Sequence, residues 1–265
     1  MHIESKYKVL KEIIGELKTV LIAYSGGMDS TLLLKICVDV LGADNVVAFI
    51  GNAPIFPAKE IEEARQIASD MGIEYVLLNT TILQHKPFVE NTKERCYHCK
   101  KNLFTMAIRV AKEKNMIAVA DGTNLDDLSD FRPGNIAAKE MGVVSPLLTA
   151  KFTKDDIRTL SDRLSLPTRN KPPYACLATR IPYGTVIDSP LLKKIEQSED
   201  VIKDTGVAQV RVRCHGSLAR IEIMERDMGA FLSERKRIVD GLKKYGFTYI
   251  TLDMEGYRTG SMNEE

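Results

Sequence analysis

Ser25-Gly26-Gly27-Met28-Asp29-Ser30 brings two glycines, two hydroxyls and a carboxylate into six consecutive positions. Gly26 and Gly27 admit backbone angles closed to other residues and let a ligand approach the main chain. Ser25 and Ser30 add hydroxyl donors. These are the residue types that cradle an anion. Asp29 repels a phosphate, so its place in such a loop implies a magnesium ion between the two. The common nucleotide loop, G-x-x-x-x-G-K-[ST], requires a lysine after its glycines, and none follows here.

Cys96-Tyr97-His98-Cys99 is a second constellation. A C-x-x-C at a helix start serves redox, metal or iron–sulfur chemistry. Its place late in an α/β half argues against a redox dithiol, which sits after a first strand. Two thiolates need further ligands, and Cys176 follows a stiff Lys171-Pro172-Pro173-Tyr174-Ala175 segment at the expected join between domains. Three thiolates on a four-iron cluster would leave one iron open to a sulfide. Zinc, with His98 or water in fourth place, is the competing occupant. Three unrelated buried cysteines are the plain alternative. Cys37 reads as helix packing, and Cys214 as a half-buried strand residue.

The stretch 121–134 carries four carboxylates in its first ten residues. A solvated loop accounts for some of them. Asp121, Gly122, Thr123 and Asn124 follow a strand and are the better candidates for nucleotide or magnesium contact. Arg180, Arg211, Arg213 and Arg220 are candidates for an anion-binding surface, because guanidinium matches phosphate in two-point contact. Arg211 and Arg213 share one strand face, which either meets an anion or faces solvent.

The elements that must position these residues follow from apolar periodicity. Helices are expected at 6–17, from the Ser/Gly loop to Gly42, from Pro57 to Met71, and at 97–114 and 153–164. Strands are expected at 19–24, 45–50, 73–78, 116–120 and 142–144. This alternation predicts an α/β fold, a parallel sheet covered by helices on both faces. Ligands bind such sheets at the carboxyl ends of the strands, where Ser25–Ser30, Gly51-Asn52-Ala53-Pro54 and Asp121–Asn124 all fall. The proline-rich 166–173 stretch marks a change of organisation. Beyond it come a helix from about 190 to 204, strands at 209–213 and 219–223, a helix at 233–244 and a strand at 247–252: a smaller C-terminal α+β domain. The expected domains are 1–168 and 169–265.

The 265 residues carry 37 Lys and Arg against 36 Asp and Glu, a formal net charge of +1. Nothing global draws the chain to nucleic acid or to a membrane surface. No apolar run approaches a membrane span, and the amino end lacks a signal peptide's apolar stretch. Five cysteines, an odd number, argue against a disulfide framework. The expected compartment is the cytoplasm.

The pattern S-G-G-x-D-S resembles the signature of the PP-loop ATP pyrophosphatases, a HUP-like fold. Arg95–Lys100, Asp121–Asn124 with Asp126 and Asp127, Cys176 to Gly184, Arg211-Val212-Arg213 and Gly256 to Glu264 extend the likeness over nearly the whole chain, to the LarE family of ATP-dependent sulfur transferases. The resemblance implies that ATP and Mg2+ bind at Ser25, Gly26, Gly27, Asp29 and Ser30, with Gly122, Thr123 and Asn124 nearby. It implies that Arg211 and Arg213 hold a substrate phosphate, and that Cys176, Asp29 and Arg180 are catalytic. A substrate carboxylate would be adenylated with release of pyrophosphate, then attacked by sulfur. In the family the substrate is a pyridinium dicarboxylate mononucleotide, a nickel-pincer cofactor precursor. Some members sacrifice the sulfur of the Cys176 counterpart; others carry three cysteines and a 4Fe–4S cluster fed by a sulfide source. Cys96, Cys99 and Cys176 match the second kind. The family forms homo-oligomers. The chain departs from the expected Ser/Thr-rich turn at Gly51–Pro54. Other readings are a PP-loop tRNA thiolase, an amidating ligase, or a non-enzymatic nucleotide or metal sensor. The first would show a larger basic surface or an RNA-binding domain, the second an amidotransferase domain or partner, and the third no release of pyrophosphate.

Overall fold

The computed structural model describes residues 2–128, 133–172, 175–258 and 260–263. The end of the acidic stretch (129–132), Pro173 and Tyr174 of the stiff segment, and Thr259 and Glu264 of the C-terminal motif lie outside the described residues. Two compact units emerge. The first comprises residues 1–88 and 94–174, the second 89–93 and 175–265.

The first unit runs α1 (Ile3–Leu17), β1 (Val20–Ala23), α2 (Met28–Leu41), β2 (Val46–Asn52), α3 (Ala58–Asp70), β3 (Glu74–Asn79), α4 (Lys86–Val89), α5 (Arg95–Glu113), β4 (Ala118–Ala120), α6 (Pro133–Glu140), α7 (Pro146–Thr149) and α8 (Lys154–Arg163). Its four strands are parallel in the order β3-β2-β1-β4. Alternate residues along the central strands serve opposite cores, because side chains alternate across a sheet. Val20, Ile22, Ala48 and Ile50 pack with α1, α2, α3 and α8, while Leu21, Val47, Phe49 and Val119 pack with α5 and α6. Both faces being covered, the strands read as continuous apolar runs. The chain winds outward from β1 to β3, then returns to place β4 on the other side of β1. That reversal opens a crevice beyond the ends of β1 and β4.

Residues 142–144 form no strand of their own; Val144 makes an isolated parallel bridge to Ala120. Gly142 takes a positive φ (69°) and Pro146 starts α7, so the extended stretch is too short to propagate. Helix α6 went unforeseen, since it follows directly on the acidic loop.

The second unit holds α9 (Ser189–Lys203), β5 (Val210–His215), β6 (Leu218–Ile223), α10 (Met228–Ser233), α11 (Arg235–Lys244) and β7 (Tyr249–Leu252). Strands β5 and β6 pair antiparallel, and β7 adds to β6 in parallel. The helix expected at 233–244 is α11, and the short α10 that precedes it, parted from it at Glu234, was not expected. Residues 89–93 join this unit through Asn91, buried at a φ of 55°. Its Nδ2 donates to the carbonyls of Pro182 (2.8 Å) and Thr185 (3.0 Å).

Candidate nucleotide site and cysteine loops

In the first unit, β1 ends at Ala23 and α2 begins at Met28, with Ser25–Gly27 as the connection. Tyr24, buried at the strand end, shares a hydrogen bond with Thr31 of α2 at 3.2 Å. Burial pushes the Tyr24 phenol above its usual range against the pull of that bond and of Lys171, so it stays neutral. Gly26 has a φ of 69°, and a Cβ there would lie 2.7 Å from the Ala64 Cβ of α3. Gly27 is the N-cap and gives no side-chain cap. The first N–H groups of a helix have no intrahelical partner, and here the dipole's positive end accompanies them. Ser25 Oγ and Ser30 Oγ lie 3.1 Å apart at this mouth. The arrangement is an anion cradle.

The loop after β4 closes one side of it. A Cβ on Gly122 would lie 3.0 Å from the Ser30 backbone nitrogen, a tighter approach than a side chain ordinarily makes, so glycine suits β4 to end against the start of α2. Asp121 is buried and accepts from Thr123 Oγ1 (2.8 Å) and Ser145 Oγ (2.7 Å). Asp127 accepts from the Asn124 backbone N–H at 3.0 Å, and Asp126 from that of Lys154 at 2.7 Å. These carboxylates build the loop; Asp130, the fourth, is outside the described residues. Asn124 Nδ2 donates to Asp29 Oδ2 at 3.4 Å, and Lys154 Nζ pairs with the same oxygen. Ser25, Gly26, Gly27, Asp29, Ser30, Gly122, Thr123 and Asn124 therefore share one corner of one unit. Lys154 and Ser145 belong there too, and no sequence signal singled them out. The donor set fits a polyphosphate on the backbone and hydroxyls, with a divalent cation on Asp29.

Burial divides the cysteines. Cys37 is fully buried and its thiol is pushed up to about 12 by desolvation. Desolvation also raises Cys214, offset in part by Lys194. Both are silent at neutral pH. Cys96 is exposed, and Cys99 and Cys176 are half-buried. In the first unit Cys96 and Cys99 lie three residues apart at the start of α5, on one helix face. His98 meets the His85 ring at 5.5 Å and Glu94 at 4.0 Å. In the second unit Cys176 caps a 3₁₀ turn, Leu177–Arg180, and its carbonyl accepts from Thr179 Oγ1 (2.8 Å) and Arg180 Nη1 (3.0 Å). Among the described residues, no group of three His, Cys, Asp or Glu side chains is gathered to hold a metal ion. Two exposed-side thiols on one helix face and a third on a pinned loop are donors of the right chemistry for iron.

Arg180 is fully buried. Its Nε donates to Glu199 Oε1 at 2.8 Å and its Nη1 to the Ala175 carbonyl at 2.7 Å. Burial alone would push the Glu199 carboxyl up, but Arg180, with help from Arg211 and Lys203, holds it below the usual range. Glu199 was missed, yet the pattern carried a signal: it stands with Leu192, Ile195 and Ile202 on the buried face of α9. Arg211 and Arg213 are likewise buried, so their strand face is not the solvent-facing one. Arg211 lies over the Tyr257 ring at 5.2 Å. Arg213 Nη2 pairs with Glu222 (2.6 Å) and donates to Ser261 Oγ (3.0 Å). Arg220 pairs with Asp253 at 2.8 Å and faces Glu222 at 3.4 Å. This face thus sets Arg211, Arg213 and Arg220 beside Glu222 and Asp253.

A parallel α/β unit with a glycine-serine cradle at its topological switch point defines a nucleotide-binding protein of the PP-loop class. A family model described as NAD synthase matches residues 3–123, which hold all four strands of the first unit. A Synechocystis sp. protein of uncharacterized function, slr1717, is 39% identical over 98% of this chain and 98% of its own length. The pyridinium-3,5-bisthiocarboxylic acid mononucleotide synthase of Lactiplantibacillus plantarum is 35% identical over 98% of this chain and 94% of its own. The uncharacterized protein MJ0830 of Methanocaldococcus jannaschii is 33% identical over 91% and 92%. The chain belongs to the PP-loop ATP pyrophosphatase superfamily of adenylating enzymes, on its NAD-synthetase-like and LarE-like side. Among the described residues no helix is long and apolar enough to cross a membrane.

Proposed function

We propose that this protein is an ATP-dependent sulfur transferase that activates a carboxylate as its adenylate and replaces one oxygen by sulfur. The observation that carries the reading is the likeness to the Lactiplantibacillus plantarum synthase, which runs through the second unit as well as the nucleotide half. The match to NAD synthase stops at residue 123 and speaks only for the nucleotide half.

The substrate would be a pyridinium dicarboxylate mononucleotide or a close relative, in nickel-pincer-type cofactor synthesis. Its carboxylate oxygen attacks the α-phosphorus of ATP and pyrophosphate departs into the Ser25–Ser30 cradle. The oxide that could not leave a carboxylate now leaves with AMP when sulfur attacks the acyl carbon. Magnesium on Asp29 would balance the charge of the leaving pyrophosphate. Arg211 and Arg213 would receive the substrate's phosphate, which guanidinium matches in two-point contact. Arg180 acts as a positioning residue, fixing the carbonyls of Ala175 and Cys176 and so the direction of the Cys176 thiol.

Cys96, Cys99 and Cys176 would hold a 4Fe–4S cluster, which when bound supplies a site for an external sulfide. Anaerobic purification with iron, sulfide and visible-absorbance analysis tests this. A brown protein that loses its colour in Cys96→Ala, Cys99→Ala and Cys176→Ala is the expected result. Stoichiometric zinc, or a metal-free protein whose Cys176 becomes dehydroalanine on turnover, overturns the cluster and, in the second case, makes Cys176 the sacrificial sulfur donor.

A further inference from the structure

Lys154 has both its side chain and its backbone committed in the nucleotide corner. It opens α8, whose capping box of Thr153 and Asp156 fixes the helix start. Its backbone N–H is held by Asp126 Oδ2 at 2.7 Å. From that anchored position its ammonium reaches Asp29 Oδ2, the carboxylate oxygen that Asn124 also approaches. The two side chains are 38% and 23% exposed, so the head can move while the backbone stays.

A divalent cation and an ammonium drawn to one carboxylate oxygen repel each other and weaken each other's hold, since each is positive and each needs close contact. The lysine stem is flexible and its head is a compact point charge with three donors. From these contacts we infer that Lys154 is a place-holder in the site read above as the Mg2+–ATP site, on which reading the inference rests. Without nucleotide its ammonium neutralises Asp29, so the loop does not present an uncompensated carboxylate to an incoming polyphosphate. When the nucleotide arrives with its metal, the cation takes Asp29 and the ammonium turns to the phosphate oxygens. Lys154 thereby opposes binding of the metal alone and supports binding of metal with polyphosphate.

The test uses the full-length protein, with Mn2+ alone followed by electron paramagnetic resonance and inorganic pyrophosphate with Mg2+ followed by calorimetry. Lys154→Met removes the charge and keeps the stem. It is expected to bind Mn2+ alone about tenfold more tightly, and pyrophosphate with Mg2+ about tenfold more weakly, the weight of one charge-assisted contact. Lys154→Arg, which keeps the charge, is expected to stay within about threefold of wild type in both. Local misfolding would weaken both ligands together, so the opposite signs identify the place-holder. Unchanged or weaker Mn2+ binding, or unchanged pyrophosphate binding, in Lys154→Met overturns the inference. Wild-type protein that binds neither ATP nor pyrophosphate with Mg2+ brings down the nucleotide site itself, whatever Lys154 does.

Discussion

Gly122 lies outside the left-handed region of backbone space, yet a Cβ there would press on Ser30 N at 3.0 Å and on the Asp29 carbonyl carbon at 3.3 Å. Backbone cannot yield as a flexible side-chain end can. Gly122→Ala should therefore push the β4 loop off the start of α2, weakening Mg2+–ATP binding about tenfold while costing about 1–3 kcal/mol of stability. Calorimetric titration beside a denaturant midpoint separates the two effects. The buried pair Arg180–Glu199 gives a pH signature. The Glu199 carboxyl titrates below its ordinary value of 4.5, so over the intervening window the unfolded chain binds more protons than the folded one. Stability then rises with pH through that window: the contribution is full above pH ~4.5 and is lost as pH falls through the lower, folded value. Glu199→Gln should flatten that acid limb and lower stability at pH 7 by about 3–5 kcal/mol, because the Arg180 charge stays buried without its partner. Unfolding midpoints from pH 3 to 7 decide the matter, and an acid limb as steep as wild type's would refute the assignment.

At the scale of elements, two helix starts do the presenting. The start of α2 keeps its N–H groups away from side-chain caps, whereas α8 is closed by Thr153, with Asp156 accepting from both its hydroxyl and its backbone N–H. An open start leaves donors for a ligand; a closed one gives a firm mount for Lys154. Thr153→Ala should cost about 1 kcal/mol in chemical denaturation. The start of α5 carries Cys96 and Cys99 where Glu94 provides no side-chain cap. In metal-free native protein, alkylation with peptide mapping should label Cys96, Cys99 and Cys176 first and leave Cys37 and Cys214 until denaturant is added. Early labelling of Cys37 would contradict its place at 0% exposure in the first core.

For the whole molecule, a ligand that binds only the folded state stabilises it by mass action, about 2.7 kcal/mol at a concentration of ~100 Kd. Mg2+–ATP should therefore raise the thermal midpoint of wild type. Asp29→Asn should lose most of that shift while its ligand-free midpoint stays near wild type, since the pair it breaks with Lys154 is partly exposed. A full shift in Asp29→Asn would remove the metal from Asp29. The second unit is held by charge as well as by apolar packing. Arg180, Arg211, Arg213, Glu199 and Glu222 are all buried there. Such networks hold one arrangement well and tolerate the loss of a single member badly.

Much of this was legible along the chain. The apolar runs at 20–23 and 46–50 declared a sheet buried on both faces, because their neighbours in sequence serve opposite cores. The run Ser25–Ser30 announced an anion cradle through residue types alone. Spacing and setting single out Cys96, Cys99 and Cys176 as candidate iron ligands, yet among the described residues no group of three such side chains is gathered to hold a metal ion. Periodicity made a strand of 142–144, where a single bridge forms, and passed over the short α10, since local pattern does not reveal where pairing stops or a brief helix starts. Contacts between distant residues had no local mark. That Lys154 reaches Asp29, that Gly122 abuts Ser30, and that Arg180 spends its guanidinium on Glu199 follow from chain crossings many residues apart. Residue type and period set what each segment can do by itself. Only the folded chain decides which charges meet, because a charge's partner is fixed by distance in space.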